Sequence, residues 1–275
     1  MNLSPEEIKL DNRSIYLREL ALRTLKGGRR GHIGSTFSLI EIFRVIYDDF
    51  VDIDLIKVKS RDRDKVILSK GHGCIAQYVM LAEKGLFALS ELDTFCGYDS
   101  ILGGHPERGH IPGIEASTGS LGHGLPIGVG IAYGQKIREL NSKTIVILGD
   151  GEIQEGSNWE ALFSANKHLL NNLILIVDSN KLQSFDTTSS VWDVEPLIDK
   201  FKAFNCDVSV INGHNIVELK FALNQFKGGF KPKVIIANTI KGKGFKVAEG
   251  NPLWHHKAKI SDFEIEKLTE MLKNA

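Results

Sequence analysis

The segment Gly149-Asp150-Gly151-Glu152-Ile153-Gln154-Glu155-Gly156, followed by Asn158-Trp159-Glu160-Ala161, sets one carboxylate between two glycines. With no side chain on either neighbour, backbone N–H groups can approach phosphate oxygens while Asp150 reaches a divalent cation. A second segment, Asp178-Ser179-Asn180-Lys181-Leu182, offers the Asn180 amide oxygen and, through a turn, the Leu182 carbonyl. Oxygen donors with one net charge suit Mg2+ or Ca2+ that keeps diphosphate oxygens and water in its shell. Gly-Asp-Gly alone is also a common turn. Its pairing with Asn180, each segment ending an apolar run, is what points to a site.

The histidines carry the second signal. Six of the nine, His32, His72, His105, His110, His123 and His214, directly follow a glycine. With 27 glycines in 275 positions, chance gives about one such pair. A Gly-His step lets backbone approach a ligand and places a donor and an acceptor beside it. Zinc binding is the rival chemistry, but no two of the six have HxH or HxxxH spacing. Catalysis or substrate binding is the better expectation, with His110 and His168 left as surface residues.

Positioning these groups requires a sheet. Five short apolar runs, Val66–Leu68, Thr144–Leu148, Leu173–Val177, Val208–Ile211 and Val234–Ala237, have the length and β-branching of strands covered on both faces. Helix-compatible stretches separate them, Asn158–His168 and Asn215–Phe226 most clearly. Strand–helix alternation of this kind predicts a doubly wound α/β fold, a mostly parallel sheet with helices on both faces. In such folds ligands bind outside the carboxyl ends of the strands. The small and polar residues after each run, Ser69-Lys70-Gly71-His72 and Asn238 to Gly244 among them, mark that edge. Ser4, Pro5 and Glu7 predict a capped N-terminal helix that Gly27-Gly28 stops. Ser261 and Glu264 predict a second capping box before Ile265, Leu268 and Leu272.

Composition narrows the class. Hydrophobic residues at 42% and charged residues at 25% exclude a disordered, fibrous or membrane-embedded chain. The 34 basic and 34 acidic residues cancel, so no global field recruits nucleic acid or an anionic membrane. The basic run from Lys26 to Arg30 is too short for a nucleic-acid arm. Cys74, Cys96 and Cys206 lie far apart, which predicts no zinc knuckle and no disulfide framework. Without a signal-like start or an 18-residue apolar run, a cytoplasmic protein is expected. No repeat or linker divides the chain, so residues 1–275 are expected to form one domain with a C-terminal extension from about 245.

Taken together, these motifs resemble the thiamine diphosphate fingerprint, and the chain resembles the N-terminal, diphosphate-binding half of transketolases. It is most similar to the split type, in which two chains divide the enzyme. The carrying segments are Gly31-His32-Ile33-Gly34, Ser69-Lys70-Gly71-His72, Gly104-His105-Pro106, Ser117 to Gly122, Gly149 to Ala161, Asp178 to Gln183 and Trp254-His255. The resemblance implies the PP-type module and assigns roles. Asp150, Asn180 and the Leu182 carbonyl would hold the metal. Gly149, Gly151, Glu152, His72, Asn180 and His255 would line the diphosphate and thiazolium side. Gly119, Ser120 and Leu121 would lie along the aminopyrimidine. His32, His105 and His255 would contact ketose hydroxyls and relay protons, and Glu155 would couple two sites at a subunit boundary. It further implies a partner chain carrying the pyrimidine-binding domain, in an α2β2 assembly, and ketol transfer from a ketose to an aldose. Two positions depart from the family pattern: its His-Pro-Gly-Gly reads His32-Ile33-Gly34-Ser35, and His123 replaces a common glutamine. The acceptor-phosphate arginines of the family lie largely in the other half, which leaves a specialised, unusual ketose as the alternative substrate. Other classes fit less well. The Gly-His set and the Trp159-Glu160-Ala161 continuation favour transketolase over a 2-oxo acid dehydrogenase α subunit or a 1-deoxyxylulose-5-phosphate synthase, and a Rossmann nucleotide binder needs GxGxxG after its first strand. A non-catalytic binding subunit would not need the intact histidines.

Overall fold

A computed structural model describes residues 3–225 and 229–273. Met1, Asn2, Asn274 and Ala275, the ends of the expected unit, and Phe226, the expected end of the helix at 215, lie outside the described residues. Five strands, β1 (Lys65–Leu68), β2 (Thr144–Gly149), β3 (Leu173–Ser179), β4 (Asp207–Asn212) and β5 (Lys233–Asn238), form one sheet in the order β1-β2-β3-β5-β4. Every pairing is parallel. Eleven α-helices are described: α1 (Asn12–Gly28), α2 (Ile33–Ser38), α3 (Ile40–Val45), α4 (Ile53–Lys57), α5 (Cys74–Glu83), α6 (Gly124–Ile137), α7 (Gly156–Lys167), α8 (Thr188–Trp192), α9 (Leu197–Ala203), α10 (Ile216–Asn224) and α11 (Asp262–Lys273).

Strand side chains alternate between two cores, as the period of two demands. Ile145, Ile147, Ile174, Ile176 and Ile235 enter one core with α1, α3, α5, α10 and α11. Val146, Leu148, Leu175, Val177 and Ile236 enter the other with α6, α7 and α9. Both faces are therefore covered, which is why these strands read as continuous apolar runs. The edge strand β4 differs from the expectation of burial on both faces. It pairs only with β5, and Val210 is 46% exposed. The connection from β1 to β2 holds α5 on one face and α6 on the other. Residues 84–123 between them deliver His105, Gly119 and Leu121 to the site.

The two expected helix starts fare differently. At the C-terminus the Ser261–Glu264 box forms reciprocally: Ser261 N–H donates to Glu264 Oε2 at 2.9 Å, and Glu264 N–H to Ser261 Oγ at 3.2 Å. At the N-terminus Ser4 N–H does donate to Glu7 Oε2, 2.7 Å, but this closes only a turn. The helix begins later because Asp11 accepts the Ser14 N–H and caps it. Nor do Gly27 and Gly28 stop α1, which runs through them and ends at Arg29 in the left-handed region, φ 50°. Their use is close packing, since a Cβ on Gly27 would lie 2.4 Å from the Asp93 carbonyl oxygen. Among the described residues, no helix is long and apolar enough to cross a membrane.

Candidate functional site

Parallel register brings the two carboxylate motifs together. Gly149 on β2 pairs with Asp178 on β3, so Asp150 and Asn180 leave the sheet side by side. Asp150 Oδ1 accepts the Gly151 N–H at 2.8 Å, and Oδ2 the Lys181 N–H at 2.5 Å. Burial and the neighbouring Asp178 carboxylate push the Asp150 carboxyl up to about 6. Asn180 Nδ2 donates to Asp178, and its Oδ1 accepts the Leu182 N–H at 3.1 Å. The Leu182 carbonyl accepts from the Lys241 ammonium, 2.8 Å.

These groups face a cavity of about 200 Å³, which His72, Leu121, Gly149, Gly151, Glu155 and His255 also line. Three buried polar atoms of its lining have no hydrogen-bond partner among the described residues: Ser35 Oγ, Gln183 Nε2 and His255 Nδ1. Orphaned polar atoms are costly unless a ligand satisfies them. Gly151 leaves the room, because a Cβ there would come 2.9 Å from the Gln183 side chain. The donor set, one carboxylate with two neutral oxygens below two lysines, fits a divalent cation and a diphosphate.

Lys70 and Lys241 are the residues that sequence reasoning did not single out. Both directly follow strand-end turns, and that position is the signal that could have found them. Lys70 is buried with its ammonium 2.5 Å from Asp178 Oδ2. Burial pushes the Asp178 carboxyl up, but Lys70 and the hydroxyls of Ser38 and Thr239 outweigh it and hold it below the usual range. Burial, reinforced by Lys70, pushes Lys241 down to about 7.

A histidine cluster adjoins this cavity. His32 lies at its centre, with ring centroids 5.2 Å from His72, 5.9 Å from His105, 5.5 Å from His255 and 4.4 Å from His256. Burial lowers all of them, His32 and His255 to about 3, so the imidazoles are neutral at neutral pH. A neutral imidazole offers both a donor and an acceptor nitrogen. Gly119 and Ser120 share a wall with His105. At Gly119 φ is +150°, and a Cβ would meet the His105 ring at 2.9 Å.

Other predicted residues brace the cavity, stand at its rim or lie apart from it. The Glu152 carboxylate is buried and accepts from Ser69, from Gly122 N–H at 2.9 Å and from Gly149 N–H at 3.2 Å, tying three loops together. Glu155 is exposed at the head of α7. Of the Gly-His set, His110 is exposed beside Glu107, and His123 lies outside the ring cluster with Nδ1 3.0 Å from the Leu121 carbonyl. His214 is fully buried. Its Nε2 accepts the Ile240 N–H at 2.9 Å, so its Nδ1–H donates to Glu41 at 2.8 Å. That bond steadies the turn carrying Lys241.

A cavity with unpartnered polar atoms at the carboxyl edge of an all-parallel sheet is the mark of a ligand-binding α/β protein. More particularly, the chain belongs to the transketolase family: the family's thiamine diphosphate binding domain matches residues 11–273. It is 39% identical over 273 residues to one subunit of the apulose-4-phosphate transketolase of Actinobacillus succinogenes, covering 99% of this chain and 98% of that one. It is 37% identical over 261 residues to the 6-deoxy-6-sulfo-D-fructose transketolase subunit SqwG of Clostridium sp., covering 94% of each. The transketolase from Leishmania mexicana shares the fold with a TM-score of 0.86 at 28% identity. That match covers 99% of this chain and 42% of the Leishmania chain, so this chain spans less than half of that enzyme.

Proposed function

We propose that this chain is the thiamine diphosphate- and metal-binding subunit of a two-chain transketolase, transferring a two-carbon ketol unit from an anionic ketose to an aldose. The observation that carries the reading is the convergence of Ser35 Oγ, Gln183 Nε2 and His255 Nδ1, all without partners, on the cavity beside Asp150. Asp150, Asn180 Oδ1 and the Leu182 carbonyl would hold Mg2+ or Ca2+. Gly149, Gly151 and His72 would face the diphosphate, while Lys70 and Lys241 balance its charge. Glu152 acts by fixing the loops around it. Gly119, Ser120 and Leu121 would border the aminopyrimidine. Thiamine diphosphate supplies, when bound, the nucleophilic carbon for breaking and making the carbon–carbon bond.

This chain's own part is orientation and proton movement. His32, His105 and His255 would hydrogen-bond the ketose hydroxyls through neutral imidazoles, each offering a donor and an acceptor nitrogen along which protons are relayed. The names of two relatives support the substrate class. Both full-length relatives are named for ketoses with an anionic group, a phosphate in one and a sulfo group in the other. Both are also named as subunits, which supports a partner chain here, with the pyrimidine-binding domain and an α2β2 assembly. Glu155, exposed at the cavity rim, would then face the subunit boundary.

Calorimetric titration of the chain with thiamine diphosphate tests the cofactor reading. Saturable binding that requires Mg2+ is expected, with ketol transfer only after the partner is added. Transfer by the pure chain overturns the two-chain reading. Absence of cofactor binding with the partner present overturns the whole.

A further inference from the structure

A second cavity, of about 370 Å³, opens on the far side of His72 from the diphosphate cavity. His32, His72 and His105 form its inner wall, and the exposed Arg30 and His256 stand at its mouth. No carboxylate lines it. Among the described residues Arg30 makes no ion pair, whereas its neighbour Arg29 pairs with Asp262 at 3.2 Å and Arg23 pairs with Asp93. The backbone beside Arg30 is tied down. Gly31 and Lys257 exchange two backbone hydrogen bonds of 3.0 Å, a bridge that seats His256 against His32 and fixes the backbone next to Arg30. Lys257 itself turns away to Glu264, 3.2 Å. Burial lowers His256, and the positive charge of Arg30, which lines the same cavity, adds to it.

An unpaired guanidinium over a cavity without acids is suited to an anion that carries a forked set of oxygens. We propose that Arg30, assisted by His256, is the subsite for the terminal anion of the ketose, whose hydroxyls reach inward to His32 and His105. The inference rests on the ketol-transfer reading above and adds where in this chain substrate charge is recognised.

The test compares fructose 6-phosphate with fructose, which differ by the terminal anion, by equilibrium binding to the two-chain enzyme. The enzyme is loaded with Mg2+ and a thiamine diphosphate analogue whose reactive carbon is blocked, so that neither sugar is cleaved. The phosphorylated sugar is expected to bind at least about tenfold more tightly, with the preference shrinking as NaCl is raised. Arg30→Gln should remove about tenfold of that affinity and leave fructose binding unchanged, and His256→Asn about threefold. Arg29→Gln removes the same charge one residue away and should change neither sugar. Equal losses for both sugars in Arg30→Gln, no loss, or the same loss in Arg29→Gln overturns the subsite alone. An enzyme that holds the cofactor analogue but binds neither sugar overturns the ketose reading, and the subsite with it.

Discussion

Asp150 is buried beside a second carboxylate, Asp178, whose own charge is already matched by Lys70. Two backbone N–H groups do not compensate it fully, and its carboxyl is pushed up to about 6. A divalent cation would supply what is missing, and Asp150→Ala should therefore lower Mg2+-dependent thiamine diphosphate affinity by about 100-fold or more. Calorimetry with and without Mg2+ checks this, and unchanged affinity would overturn the metal assignment. The histidines make a second, opposite-signed statement. His32 and His255 have folded pKa values of about 3 against about 6.5 when exposed. Below about pH 6.5 the unfolded chain binds protons that the folded chain refuses, so stability falls as pH drops from there toward 3. Urea unfolding across pH 7 to 4 should show that slope, and His32→Gln should make it shallower. A slope unaltered in His32→Gln would mean that this ring takes up its proton in the folded state.

Between elements, the strongest polar tie lies away from the cavity. Arg18 on α1 and Glu41 on α3 form a fully buried pair, 2.5 Å, and His214 in the turn after β4 donates to the same carboxylate. Burial raises the Glu41 carboxyl, and Arg18 with His214 reverses this to well below the usual carboxylate range. Glu41→Ala would leave the Arg18 guanidinium buried without its partner, at a cost of about 3–5 kcal/mol in urea unfolding. A loss under about 1 kcal/mol would mean that water replaces the carboxylate. This triad also shows what the sequence could not tell. Glu41 and His214 are 173 positions apart, and nothing in either segment announces the contact. The strands and the Asp150–Asn180 neighbourhood were legible because apolar runs and strand-end polar residues are local signals that parallel register converts into proximity. Lys70 and Lys241 also follow strand ends, but their partners Asp178 and Leu182 lie 108 and 59 positions away, and the Arg30–His256 mouth joins two loops that no local pattern connects. The Ser4 start failed for a related reason: Asp11, seven residues on, made the better cap.

At the scale of the whole molecule, α6 is unusual for a helix of a self-sufficient chain. Its inner face is fixed by Gly128, where a Cβ would lie 2.4 Å from Val146 on β2. Its outer face presents Ile127, Gly130, Gly134 and Ile137 at helical spacing, and on adjacent α7 Phe163 is 68% exposed. Gly130 and Gly134 have open space where a Cβ would stand. Nothing among the described residues crowds them, yet each glycine in a helix interior costs about 0.5–1 kcal/mol relative to alanine. Small residues on an apolar face permit close approach by another subunit, so this face is read as part of the assembly surface. Two predictions with opposite signs follow from that reading. Gly130→Ala with Gly134→Ala should raise the stability of the isolated chain by about 0.5–1 kcal/mol per site while weakening assembly with the partner. Ile137→Glu with Phe163→Glu should lower the isolated chain's unfolding midpoint only slightly, through the lost contact of the largely exposed Phe163 ring with Phe204, and should lower the assembled mass in sedimentation velocity. Full-mass assembly in both variants would show that the partner and any second copy dock elsewhere, and the exposed stripe would then have no role in the complex.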